Sequence, residues 1–204
     1  MKLKEQFKKI DKEFGAYVHH TIQEMMEFYQ ASVDTNLDGC LVECGVYQGI
    51  GTAKFSLVAE EVNKKLYAFD SFEGIPENTE PHDKNIWGNP ARFHKGDFCA
   101  GLEEATENLK RFGRPERVEF IKGWFDETLP KFKKPISVIY LDVDLAESTE
   151  TCLKYLWPLL QKGGILLSQD GHLPLVIKVF EKFAKENNVI VHGLGKQKLV
   201  KIIK

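Results

Sequence analysis

The chain has 204 residues, enough for one domain whose core needs neither disulfides nor a structural metal. Its 28 Lys and Arg against 30 Asp and Glu leave a formal charge of -2 without any long basic run, which argues against a nucleic-acid footprint or an anionic-membrane anchor. A small-molecule partner is expected. Cys40, Cys44, Cys99 and Cys152 lack the paired C-x-x-C spacing of a zinc site and read as reduced thiols. The N-terminus is charged and helix-periodic, with no apolar signal-peptide core, and no stretch reaches the length of a membrane span, so the cytoplasm is the expected location.

Two helices are predicted first, Lys2 to Phe14 and Tyr17 to Ala31, the second with an apolar stripe of Ile22, Met25, Met26 and Tyr29. After the turn-like Asn36-Leu37-Asp38-Gly39 the pattern alternates. Strands are expected at Cys40 to Gly45, Leu66 to Asp70, Val118 to Lys122, Ser137 to Asp142, Gly164 to Ser168, Val189 to Leu194 and Leu199 to Ile203. Helices are expected at Gly51 to Val62, Asp97 to Arg111, Ser148 to Trp157 and Leu175 to Asn187. This order predicts an α/β, Rossmann-like, doubly wound and mostly parallel seven-stranded sheet closed by a C-terminal β-hairpin. Residues 1–36 would form a helical cover over a core at 37–204, all in one domain spanning 1–204. The proline- and glycine-containing stretch 71–96 reads as a lid loop at the ligand-binding end of the sheet.

The first strand runs into Glu43-Cys44-Gly45-Val46-Tyr47-Gln48-Gly49, and Ile50-Gly51-Thr52 then opens a helix. Glycines here let the backbone turn tightly against a ligand, but dinucleotide enzymes use such a turn as well. Charge separates the cases. A carboxylate at Glu43 would oppose a pyrophosphate at the helix N-terminus, whereas the sulfonium and ammonium of S-adenosylmethionine would welcome it. Glu43 in a purely structural pair is the alternative. Asp70 ends the second strand about 20 residues beyond the turn, where an acidic side chain takes ribose hydroxyls, although aspartate also suits a turn or an N-cap.

The octapeptide Phe69-Asp70-Ser71-Phe72-Glu73-Gly74-Ile75-Pro76 resembles the signature of the macrocin-type (TylF-type) sugar O-methyltransferases. His94-Lys95-Gly96-Asp97, Gly123 to Pro130, and Tyr140-Leu141-Asp142-Val143-Asp144 followed by Glu147-Ser148-Thr149 resemble further blocks, and the likeness runs from about Gly39 to His172. It implies a class I methyltransferase fold and transfer of a methyl group from S-adenosylmethionine to a hydroxyl of a small molecule, expected to be a sugar or glycosylated metabolite. It also implies cofactor contacts at Glu43, Gly45, Tyr47, Gly49, Asp70 and Ser71, with the turn Gly123-Trp124-Phe125 along the adenine and Asp142 nearby. Packing beneath the lid is the other reading of Trp124 and Phe125.

Asp142 and Asp144, two apart at a strand end, would share a face if the extended geometry persists, and Gln169-Asp170 end the next strand. Asp142, Gln169 and Asp170 are the expected ligands of a hard cation such as magnesium, with Asp144 as general base and His172 as its alternate. N-capping and solvation are the competing role for the aspartates. The sequence departs from the family where an amide, Gln169, replaces one of two adjacent acids, and where Ala146 stands in place of a frequent tyrosine. His19 and His20 fall in the expected N-terminal helix, on no common face, and receive no role. That helical cover would shield the pocket or form a homo-oligomer contact. The rival functions are a catechol-type O-methyltransferase and a non-catalytic S-adenosylmethionine-binding module, with a nicotinamide dehydrogenase last for want of G-x-G-x-x-G.

Overall fold

A computed structural model describes residues 2–15 and 18–204; the predicted helix start at Tyr17 lies outside them. Two helices open the chain, α1 (Lys2–Phe14) and α2 (Ile22–Asp34). The core then runs β1 (Cys40–Cys44), α3 (Ile50–Glu61), β2 (Leu66–Asp70), α4 (Leu102–Phe112), β3 (Val118–Lys122), the short α5 (Phe125–Thr128), β4 (Ile136–Leu141), α6 (Ala146–Leu156), β5 (Leu160–Ser168), α7 (Pro174–Asn187) and β6 (Val200–Ile203). The sheet order is β3-β2-β1-β4-β5-β6, parallel except for β6 against β5.

Strand alternation sorts the core into two layers. Leu41, Val138, Tyr140, Ile165 and Leu167 face α1, α2 and α3, while Val42, Cys44, Ile139, Leu141 and Leu166 face α6 and α7. The period of two in these strands is what divides one apolar sequence between two helical layers. The N-terminal helices belong to the first layer, where Phe7, Met25 and Phe28 are fully buried, so they pack on this chain's own core.

Four expectations shift. The expected strand at Val189 to Leu194 is reduced to one bridge, His192 to Lys201, so the sheet has six strands among the described residues and the terminal hairpin is rudimentary. Asn188 in left-handed backbone ends α7 just before it, Gly193 turns the chain within it and Gly195 just after, and Ile190 is 71% exposed. The second helix starts at Ile22, because Thr21 caps it and Glu24 completes a capping box, and its buried stripe is Met25, Phe28, Ala31 and Ser32. Ile22, Met26 and Tyr29 flank that stripe, half-buried. The helix expected from Asp97 starts at Leu102, since Gly96 and Phe98 adopt positive φ.

Candidate active site

The backbone pairing continues past the strand ends and draws their loops together. Gly45 N donates to Phe69 O, Asp142 N to Cys44 O, Gln169 N to Leu141 O and Gly123 N to Asp70 O, all within 3.0 Å. At Gly45, with φ +90°, an added Cβ would meet Asp142 O at 1.9 Å, so only glycine allows the two loops to touch. The loops, the segment before α2 and the lid enclose a cavity of about 550 Å³, a size suited to a cofactor and a small acceptor.

On one side the cavity is lined by Gly45, Tyr47, Asp70, Ser71, Trp124 and Phe125. Asp70 Oδ2 accepts from the backbone of Val46 at 2.7 Å and Tyr47 at 3.2 Å, and Oδ1 from Phe72 at 2.7 Å. The carboxylate therefore braces the glycine turn and retains lone pairs toward the cavity. Ser71 Oγ accepts from Glu73 N at 3.1 Å, closing a local turn. Gly49 caps α3 with φ +77° and Gly123 turns the chain with φ +140°; both shape the walls from outside the cavity lining.

Glu43 lies beneath this wall, outside the cavity lining and 1% exposed, with the Thr52 hydroxyl beside its carboxyl but no hydrogen bond of good geometry to either oxygen. It sits close under α3: a Cβ placed on Gly51 would be 2.7 Å from His20 Cε1 and 3.4 Å from Glu43 Oε1. Burial pushes its carboxyl well above the usual range, and the charges of Asp142 and Asp70 add to the rise against the opposing Thr52 hydroxyl.

On the other side Asp142, Asp144 and Asp170 each bring a carboxylate oxygen within 4.8 Å of the others. The extended geometry does not persist past Leu141; Asp144 adopts φ +59°, and this turn, not strand pleating, brings it beside Asp142. Asp170 Oδ2 accepts from Val143 N at 2.9 Å and Asp144 N at 3.3 Å, which holds the turn. Burial and the Asp142 charge push the Asp170 carboxyl up to about 7, despite the Val143 amide. Burial, followed by the charges of Asp170 and Asp142, likewise raises Asp144. Burial acts to raise Asp142 too, but the His20 ring, Lys198 and His19 pull it below its ordinary value. Three crowded carboxylates of this kind suit a hard cation. Gln169 lines the same cavity; its Nε2 donates to His19 O at 2.9 Å and lies 3.4 Å from Glu24 Oε2, bonds that do not involve the amide oxygen expected as a ligand, and Asp144 brings a third carboxylate to the cluster.

His172 lines the cavity, and burial together with Lys198 lowers its pKa, so the ring is neutral near pH 7. The lid is docked over it: Ile86 N donates to His172 O at 3.0 Å. At the far end of the lid Glu80 accepts from Ala146 N at 2.9 Å and Glu147 N at 2.8 Å.

The sequence reading missed His19 and His20, which line the cavity. His20 Nε2 stands 3.2 Å from Asp142 Oδ2. The signal was present: Thr21-x-x-Glu24 is a capping box, which starts the helix after both histidines and frees them from helical spacing. Lys198, from the turn before β6, also lines the cavity and acts on all three aspartates.

Comparison with known proteins places this arrangement. The family described as Macrocin-O-methyltransferase (TylF) matches residues 16–195. The 8-demethyl-8-(2,3-dimethoxy-alpha-L-rhamnosyl)-tetracenomycin-C 4'-O-methyltransferase of Streptomyces olivaceus is 34% identical over 139 residues, 65% of this chain and 52% of that protein. The demethyldecarbamoylnovobiocin O-methyltransferase of Streptomyces niveus is 29% identical over 156 residues, 73% of this chain and 59% of that protein. The match thus spans a little over half the length of these two relatives. The solved structure of the O-methyltransferase NovP covers 93% of this chain, and 82% of its own, at a TM-score of 0.78 and 23% identity, a likeness of fold. Since the family match covers residues 16–195, which carry Glu43, Asp70, Asp142, Asp144, Asp170 and His172, this chain belongs to the macrocin O-methyltransferase (TylF) family.

Proposed function

We propose that the chain is an S-adenosylmethionine-dependent O-methyltransferase acting on a hydroxyl of a sugar or glycosylated metabolite. The observation that carries this reading is Glu43, a buried carboxylate with two orphaned oxygens beneath a glycine turn. Such a group disfavours a pyrophosphate and favours a cationic ligand. The names of the relatives from S. olivaceus and S. niveus, an O-methyltransferase for a rhamnosyl-tetracenomycin and one for demethyldecarbamoylnovobiocin, support the acceptor class.

S-adenosylmethionine, when bound, supplies an electrophilic methyl group on a sulfonium. Gly45, Tyr47 and Ser71 would surround it, Asp70 would take its ribose hydroxyls, Trp124 and Phe125 would wall its base, and Glu43 would balance its positive charge. Gly49 and Gly123 set the turns. Asp144 accepts the proton of the acceptor hydroxyl, and His172 is the alternate base. Asp142 and Asp170, with Asp144 beside them, would hold a divalent cation such as magnesium, whose charge would favour the ionised hydroxyl. The docked lid keeps water from the acceptor oxygen. The four cysteines, all free, fit a reducing cytoplasm.

Titration calorimetry tests the donor. Binding of S-adenosylmethionine, with no heat from NAD, is expected, together with proton release as the cation draws the Glu43 carboxyl down; repeating the titration in buffers of different ionisation enthalpy reads that release. A chain that ignores the donor ends this reading. Product formation with glycosides and not with catechols fixes the acceptor class, and full turnover in excess chelator would remove the metal.

A further inference from the structure

Where the family resemblance leads one to expect a second acid at the end of β5, Gln169 is an amide, and it is 2% exposed. Its Nε2 donates to His19 O at 2.9 Å and lies 3.4 Å from Glu24 Oε2. That Glu24 oxygen also accepts from Thr21 N at 2.6 Å and the Thr21 hydroxyl at 2.9 Å, while Glu24 N donates back to Thr21 Oγ1 at 3.2 Å. The amide therefore joins the capping box that starts α2 to the end of a central strand. A carboxylate could not serve here, because it would face a second carboxylate and a carbonyl with no proton to donate.

The tether fixes what precedes it. The His20 side chain, 10% exposed, lies against Phe55 and Tyr140 with ring centroids at 5.9 and 5.6 Å, and its Nε2 faces Asp142 Oδ2. His19 stands edge-on to Tyr47 and Phe98, at 5.4 and 5.5 Å between centroids, where the glycine turn meets the lid. We infer that Gln169 is a positioning residue: it ties residues 18–24 across the open end of the sheet, so that His20 orients Asp142 and His19 seals the cavity. Only the catalytic consequence rests on the methyltransferase reading; the tether does not.

Hydrogen exchange by mass spectrometry on the full chain, without ligands, tests it with Q169E and Q169A. In Q169E the amides of residues 18–24 are expected to exchange about tenfold faster, as the loss of the bonds to His19 O and Glu24 implies, with β1 and β4 unchanged. In Q169A, which removes the donor and adds no charge, the same amides exchange faster by a smaller factor. The KM for S-adenosylmethionine rises in both variants, more in Q169E, kcat changing in parallel with Asp142 misplaced. Wild-type exchange in both variants overturns the tether. If Q169E does not fold, Q169A alone decides: faster exchange confined to residues 18–24 supports the proposal and unchanged exchange overturns it. Failure of the wild type to bind S-adenosylmethionine strikes the functional reading and leaves the exchange result standing.

Discussion

The Trp87 indole stacks on the His172 imidazole, with centroids 5.4 Å apart and planes inclined by 23°. The lid is thus seated on a side chain of the site itself, although Trp87 is 53% exposed on its other face. Such a ring pair contributes about 1 kcal/mol beyond its buried area. W87A is expected to raise the acceptor KM about fivefold through a lid that opens more often. Steady-state kinetics and limited proteolysis between residues 77 and 92 check this; unchanged cleavage there would mean that the lid is held elsewhere.

Helix α6 receives no cap from its own Leu145, and Glu80 of the lid serves instead. Burial works against ionisation of Glu80, but the His82 ring 2.6 Å away and the two α6 amides hold its carboxyl below the ordinary 4.5. The stabilisation from this group is therefore fully present above 4.5 and is lost as pH falls below it through the lowered native-state value. E80A should lower stability by about 1–2 kcal/mol, the usual cost of losing a cap. Thermal unfolding at pH 7 measures the loss, which should shrink toward pH 3.

The two candidate bases can be separated. D144N should cost kcat a factor of about 10² to 10⁴ while leaving the dissociation constant of the methyl donor nearly unchanged. H172Q should cost far less and act mainly on acceptor KM, through the Trp87 contact. The opposite ranking in parallel kinetic and calorimetric measurements would assign the proton to His172.

Asp170, Asp144 and Glu43 all have carboxyls raised by burial first and then by neighbouring aspartate charges, that of Asp142 in every case. For such groups the sign is opposite to that of Glu80: the protein without ligands should lose stability as pH rises from the ordinary carboxylate range through about 7, where Asp170 ionises. D170N should flatten the melting temperature across that window. A divalent cation added to the wild type should do the same if it occupies the cluster, and a melting curve indifferent to both would remove the carboxylates as the source.

Much of the core was legible because its strands are short apolar runs between turn residues. Leu66 to Asp70 and Val118 to Lys122 appear with the expected bounds, and Asp142 and Asp170 lie close together, as the topology of successive strand ends implies, whereas Asp144 joins them through a turn that the strand pattern does not announce. What escaped depends on contacts distant in sequence. The tie of Gln169 to His19 and Glu24 cannot be read until the segment before α2 is brought beside the end of β5, and Glu80 carries no local signal of a role until α6 offers two amides. The strand expected at Val189 failed for a different reason: β-branched residues satisfy the local pattern, but with only one bridge to β6 they have no ladder to complete.

The contact between the Gly45 α-carbon and the Asp142 carbonyl also bears on how this scaffold can be remodelled. The two sides of the cavity meet at a contact one backbone thick, so a change made to refit either side will be transmitted to the other. Remodelling of the cavity should therefore begin at Asn85 and the stretch from Pro90 to Phe93, which line it without forming that contact.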